Sequence, residues 1–165
     1  MGGIAFLLLA LFAGLAVLLA GLFTRTAPAN ESLAQRFSLK KADYEQLRAM
    51  LVEDKGLRQV ASWGVRTASL AIVQAPPIVE LPLDRYQKYW ALLSRIDAAG
   101  MTRSDGADPD ICILVWASGW AADTFHVSVC WMAHDPPTPG PLARFSNFAL
   151  GDHWFVQRDT QCPTS

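Results

Sequence analysis

Residues 111–132 read ICILVWASGWAADTFHVSVCWM, and this stretch sets the fold class. Ile111, Ile113 and Val115 alternate with Cys112, Leu114 and Trp116; Phe125, Val127, Val129 and Trp131 alternate with His126, Ser128, Cys130 and Met132. A side-chain period of two marks a strand, and two such runs on either side of 118–123 predict a hairpin. With the turn centred near Ala121, Ile113 opposes Val129 and Val115 opposes Val127, so the wholly apolar sets share one face. The same register sets Cys112 opposite Cys130. Opposed cysteines form a cross-strand disulfide in an oxidising compartment and stay packed thiols in a reducing one. The other face carries Leu114, Trp116, His126 and Ser128, a mixed set suited to contact with a partner. Trp120 falls in the predicted turn, where an indole can meet a partner or a bilayer interface. Trp116, Trp120 and His126 are therefore the candidate interaction residues of the domain.

Upstream, Tyr86, Tyr89, Trp90, Leu93 and Ile96 recur at spacings of three and four after Pro82, which predicts a helix closed by Gly100. A shorter amphipathic helix is expected to start at Asp43, with Gln46 completing a capping box, or at the rival start Ser38, and to end at Gly56. Tyr44, Leu47 and Leu51 form its apolar face. Residues 63–74 alternate Val65, Thr67, Ser69, Ala71 and Val73 against Arg66, Ala68, Leu70 and Ile72, and read as a strand ended by Pro76 and Pro77. Residues 102–110 read as a polar loop and 136–141 as a stiff Pro-rich connector. A last strand covers 153–158 with Trp154 and Val156 on one side. The expected architecture is α+β: two helices on a mainly antiparallel sheet of about four strands spanning 38–158, with a loose tail at 159–165.

Residues 4–23 form a 20-residue run with no charged or hydrogen-bonding side chain. A helix of that length covers about 30 Å, a bilayer's hydrocarbon thickness, so 1–23 is expected to be a single transmembrane anchor followed by a juxtamembrane linker at 24–37. Ala27-Pro28-Ala29 resembles a signal-peptidase site, but the preceding segment lacks a basic start and its apolar core is long, which favours retention. Arg25, Arg36, Lys40 and Lys41 follow the run and no Lys or Arg precedes it, a bias that favours the cytoplasm for the domain, with a periplasmic or extracellular placement as the alternative. Ala10, Gly14 and Gly21 are the small residues through which a second membrane helix would approach.

Fourteen basic and 15 acidic residues give a net charge of -1, which excludes a polybasic nucleic-acid binder. None of the Gly-rich phosphate loops, nucleophile elbows, HExxH or paired CxxC motifs occurs, and the three histidines lack the close spacing of zinc ligands. No cofactor and no metal is expected. The function expected from these residues is a non-enzymatic accessory or interaction module held at the lipid bilayer, for example as a subunit of a membrane complex. The alternative is a membrane-tethered hydrolase or thiol enzyme using His126, His134 or Cys130.

Overall fold

The computed structural model describes residues 26–67, 72–74, 81–120, 123–136 and 144–159. They form two helices, α1 (Asn30–Glu53) and α2 (Leu83–Arg95). The strands are β1 (Leu57–Ala61), β2 (Gly64–Thr67), β3 (Ile72–Gln74), β4 (Gly100–Arg103), β5 (Ile111–Trp120), β6 (Asp123–Trp131), β7 (Phe145–Gly151) and β8 (Trp154–Asp159). All eight lie in one antiparallel sheet of order β3-β2-β1-β4-β5-β6-β8-β7.

One cross-strand row organises this sheet. Val65 pairs with Val60, Val60 with Met101, Met101 with Ile113, Ile113 with Val129, Val129 with Val156 and Val156 with Phe148. Beyond Val65 the register continues to Val73 on β3. Directly opposed side chains stand on the same face, so the row makes one apolar stripe across the sheet. From Val60 to Val156 its members are almost wholly buried, whereas Phe148 on the outermost strand remains 37% exposed.

Both helices cover that stripe. Phe37, Tyr44, Leu47, Met50 and Leu51 of α1 share a core with Tyr86, Tyr89, Leu92 and Leu93 of α2 and with Trp154. Trp154 is fully buried against the rings of Phe37 and Tyr44, and its indole N–H donates to Glu45 at 2.8 Å. The helices run antiparallel, and each supplies cations to the other's C-terminal carbonyls, where orphan acceptors and the helix dipole favour positive charge. From α1, Arg36 donates to the Ile96 carbonyl at 3.1 Å and Lys40 to that of Arg95. From α2, Arg85 reaches the Met50 carbonyl and binds Glu53 at 2.8 Å and Asp54 at 2.9 Å. Asp97 takes the left-handed position after α2 (φ 57), and the Ala98 amide returns to the Leu93 carbonyl, closing a Schellman turn without glycine.

Several expectations are corrected. The sheet has eight strands, not about four, because short strands carry too few residues to show a period. Residues 63–74 are not one strand: Trp63 lies in the turn after β1, and β2 and β3 are separate. β4 begins at the expected helix stop, Gly100, and takes in Thr102 and Arg103 of the segment read as a loop, and β7 follows the Pro-rich segment from Phe145. α1 starts at Asn30, so 30–37, read as linker, are its first turns; exposed Ser38, Leu39 and Lys40 interrupt the stripe where the helix kinks at Lys40 (φ -122).

The expected single-pass membrane architecture is not supported: among the described residues no helix is long and apolar enough to cross a membrane. α1 has the length but carries charges throughout, from Glu31 to Glu53. The run 4–23, with Ala10, Gly14 and Gly21, lies outside the described residues. With the span goes the cytoplasmic placement that was counted from its flanks. A disulfide, described below, also opposes that placement, because such bonds are rare in reducing compartments.

The packing has two measurable consequences. All three tyrosines of the chain have raised pKa values, chiefly through burial: Tyr44 is pushed up to about 12, and Tyr86 and Tyr89 also move upward, Tyr89 additionally through its 2.7 Å hydrogen bond to Asp54. An unfolded tyrosine ionises near pH ~10. The folded chain therefore holds its phenolic protons above that pH, and this stability contribution, complete below ~10, is lost as pH rises further. Tyrosinate absorbance should stay flat through pH ~10 and rise only together with alkaline unfolding; a step at pH ~10 in the folded chain would contradict the packing. Separately, a Cβ on Gly100 would meet the Val60 carbonyl oxygen at 2.8 Å and the Ala61 Cβ at 3.0 Å. Backbone cannot yield cheaply there, so Gly100→Ala should lower unfolding free energy by about 1–3 kcal/mol in a denaturant titration.

Candidate interaction surface

The core stripe takes every second residue, and the residues between build the opposite face. One row there runs from Arg66 through Gln59, Thr102, Cys112, Cys130 and Phe155 to Ala149. A second runs from Gly64 through Ala61, Gly100, Leu114, Ser128 and Gln157 to Asn147. Arg66 is the sole charged side chain in the two rows. Among the described residues neither helix covers this face, since both pack on the other. A half-solvated antiparallel sheet usually turns a polar, often charged face to water. Here amides and hydroxyls surround Leu114, Phe155 and the cysteine pair.

Most charges are gathered elsewhere; on the helix-free face Asp159, the next residue of that face of β8 after Gln157, pairs with Arg144 at 3.7 Å. Arg36–Asp97, Asp43–Arg95, Glu53–Arg85 and Asp54–Arg85 link the two helices, Arg48 pairs with Glu45 within α1, and Lys41 reaches Asp152 in the β7–β8 turn. Arg48 also lies over the Trp131 ring at 4.7 Å. Asp152 and His153 hold that turn at positive φ (50 and 65), the geometry of a tight two-residue hairpin connection. The large exposed apolar side chains on the helix side, Leu39, Val52 and Leu83, are scattered along α1 and the first turn of α2.

Cys112 and Cys130 are directly opposed with Cα atoms 4.0 Å apart, and their sulfurs are bonded. The bond ties together the two longest strands at the centre of the helix-free face. It also leaves no thiol at Cys130 for nucleophilic chemistry, which requires a free thiolate.

The remaining sequence-derived candidates are distributed, not gathered. A register shift between Leu114 and Trp116 makes Trp116, not Val115, the partner of Val127. That bulge turns Trp116 to the helix side, against the cluster of Ala27, Leu33, Val127 and Val156. His126 pairs with Ala117 and stays half-buried on the helix-free face, so the two residues stand on opposite sides of the sheet. The strands continue to Trp120 and Asp123, which pair with each other, where a turn had been expected from Ser118. His134 is exposed just past β6 and His153 lies in the β7–β8 turn, roughly 20 Å along the strand from His126. His126, His134 and Cys130 do not meet in one cleft. Among the described residues no group of three or more His, Cys, Asp or Glu is arranged to hold a metal ion.

An open cleft of about 410 Å³ lies between the end of α1 and the start of α2, lined by Asp54, Lys55, Gly56, Leu57, Leu81, Pro82, Asp84 and Arg85. Its central acid, Asp54, is already bound by Arg85 and Tyr89, so these groups serve helix packing. Sequence reasoning missed Gln59, Thr102, Asn147, Phe155 and Gln157 as members of one surface. The signal available was the absence of charge at alternate positions, and it becomes visible only once strand order is known.

The disulfide closes a loop with a sequence separation of 18, for which chain entropy gives about 3 kcal/mol. Reduction, or the double substitution Cys112→Ala/Cys130→Ala, should lower the melting temperature by roughly 10 °C in calorimetry; an unchanged Tm would show that the β5–β6 ladder needs no such tie. The chain matches no family model, no curated protein and no solved structure.

Proposed function

We propose that this chain is a non-enzymatic protein-interaction module whose contact surface is the helix-free face of the sheet. The observation that carries the reading is the separation of charge: ion pairs crowd the helix side, while two full cross-strand rows hold Arg66 alone. Desolvating a charge is costly, and the buried centre of a protein interface is correspondingly poor in charged residues. Leu114 and Phe155 supply apolar area at the middle of the face. Ser128, Gln157, Asn147 and Thr102 supply uncharged donors and acceptors that a partner can match without displacing ions. The Cys112–Cys130 bond fixes the strands that present them, which reduces the ordering cost of association. Eight strands spaced ~4.8 Å apart give a platform roughly 34 Å wide, ample for one protein partner.

A photo-crosslinking phenylalanine analogue at Phe155 tests this reading against the same group at Leu39 and Leu83 on the helix side. Adducts with a partner protein are expected from Phe155 and not from the other two. Adding the half-buried charge Ser128→Lys should reduce the Phe155 adduct at least tenfold while leaving the melting temperature nearly unchanged. Adducts arising only from Leu39 or Leu83, or a Phe155 adduct indifferent to Ser128→Lys, would overturn it.

A further inference from the structure

The helix-free face differs at its β2 end from everywhere else in the molecule. Among the described residues every arginine other than Arg66 holds a carboxylate or a backbone carbonyl oxygen. Arg66 holds neither, and its buried Nε–H has no acceptor. Its cross-strand neighbours, Gln59 on β1 and Ile72 on β3, bring no negative charge. Three residues earlier, Trp63 sits in the two-residue turn between Ala61 and Gly64, 48% exposed. Among the described residues it is the one tryptophan left so open to solvent. The turn that carries it is pinned to α2, because the Tyr86 hydroxyl donates to the Ala61 carbonyl at 3.1 Å, with that of Ser62 at 3.4 Å.

We infer that the β1–β2 hairpin is the selective end of the contact face, where the protein partner presents an aspartate or glutamate carboxylate to Arg66 and an apolar side chain to Trp63. The inference rests on the reading of the face given above, and charge complementarity names the occupant. A partner that covers the face strips water from the Arg66 guanidinium, and a charge desolvated without a counter-charge is costly. No carboxylate stands in either cross-strand row, so the counter-charge has to come from the partner. A neutral or basic partner surface would leave the guanidinium covered and unpaired. A carboxylate accepts two parallel N–H bonds from arginine, a geometry that lysine does not offer.

The dimensions suit one partner. The rise of a strand sets Trp63 and Arg66 roughly 10 Å apart, within reach of a single partner segment. From Arg66 to Phe155 the row crosses five strand spacings, about 24 Å, which lies inside the footprint of a standard interface. Tryptophan and arginine are also the side chains on which interface energy concentrates, and a pinned turn presents the indole at a low ordering cost.

The test reads the Phe155 photo-adduct in the full chain. Arg66→Glu should reduce the adduct at least tenfold and Arg66→Gln at least threefold. Arg66→Lys, which keeps the charge without the paired donors, should lose less than Arg66→Gln, with circular dichroism showing the fold intact in each. Trp63→Ser, at an exposed turn, should cost at least threefold and gives a reading independent of Arg66. The photo-crosslinking analogue placed at Trp63 should capture the same partner as at Phe155. In the Arg66→Lys chain a water-soluble carbodiimide should join the substituted amine to the partner by an amide bond, formed with loss of water, and peptide mass spectrometry should place that bond on an aspartate or glutamate. A Phe155 adduct indifferent to Arg66→Glu, or an Arg66→Lys chain that forms no such amide, would overturn the carboxylate and leave the face standing. The absence of any Phe155 adduct in the unsubstituted background would remove the face itself, and the carboxylate with it.

Discussion

The row of cross-strand apolar contacts from Val65 through Val60, Met101, Ile113, Val129 and Val156 to Phe148 fixes where everything else in the molecule can lie. Its members come from strands far apart in the chain, and each is held to its neighbours by backbone pairing as well as by packing. A slip of one residue in any strand would turn that strand's apolar set to the other face. Both helices then have one surface on which to bury their apolar sides, and the shared core fixes them there. The opposite face follows by alternation: with every second residue assigned to the core, Gln59, Thr102, Cys112, Leu114, Ser128, Phe155 and Gln157 are brought side by side from segments scattered along the sequence.

Electrostatics ties the two helices to each other. Arg85 at the end of α1, and Arg36 and Lys40 at the end of α2, satisfy carbonyls that the helices cannot satisfy internally. Because these cations reach across to the neighbouring helix, they set the helices' relative direction as well as capping them. Exposed pairs of this kind, such as Arg36–Asp97, contribute little stability individually. Their main consequence is spatial. With these charges on the helix side, the two cross-strand rows of the other face hold Arg66 as their one charged side chain.

The β5–β6 hairpin shows how far local pattern reaches. Alternation of Ile111 and Ile113 against Cys112, and of Val127 and Val129 against His126 and Ser128, marks two strands and brings Cys112 and Cys130 into opposition. It does not reveal the bulge at Val115, since an extra residue leaves composition unchanged and appears only when the strand is laid against its partner. That single residue turns Trp116 from the mixed face to the helix side and separates it from His126. The same holds for β4 and β3, of four and three residues, where pairing with neighbours and not internal period makes the strand. In α1 the first turns were hidden because Lys40 and Lys41, at the kink, stand between Leu33 and Phe37 and the following apolar residues Tyr44 and Leu47.

Spacing along single stretches of chain was enough to establish that an α+β domain forms, that an amphipathic helix follows Pro82, and that two long strands meet with their cysteines opposed. The number and order of the strands, the side on which Trp116 lies, and the collection of uncharged residues into one face were settled only by the assembled sheet. The physical reason is the range of the interactions concerned. Amphipathic period is written between residues a few positions apart, whereas strand order, bulges and the shared face arise from backbone pairing between segments distant in the chain, and their energies exist only once the core has brought those segments together.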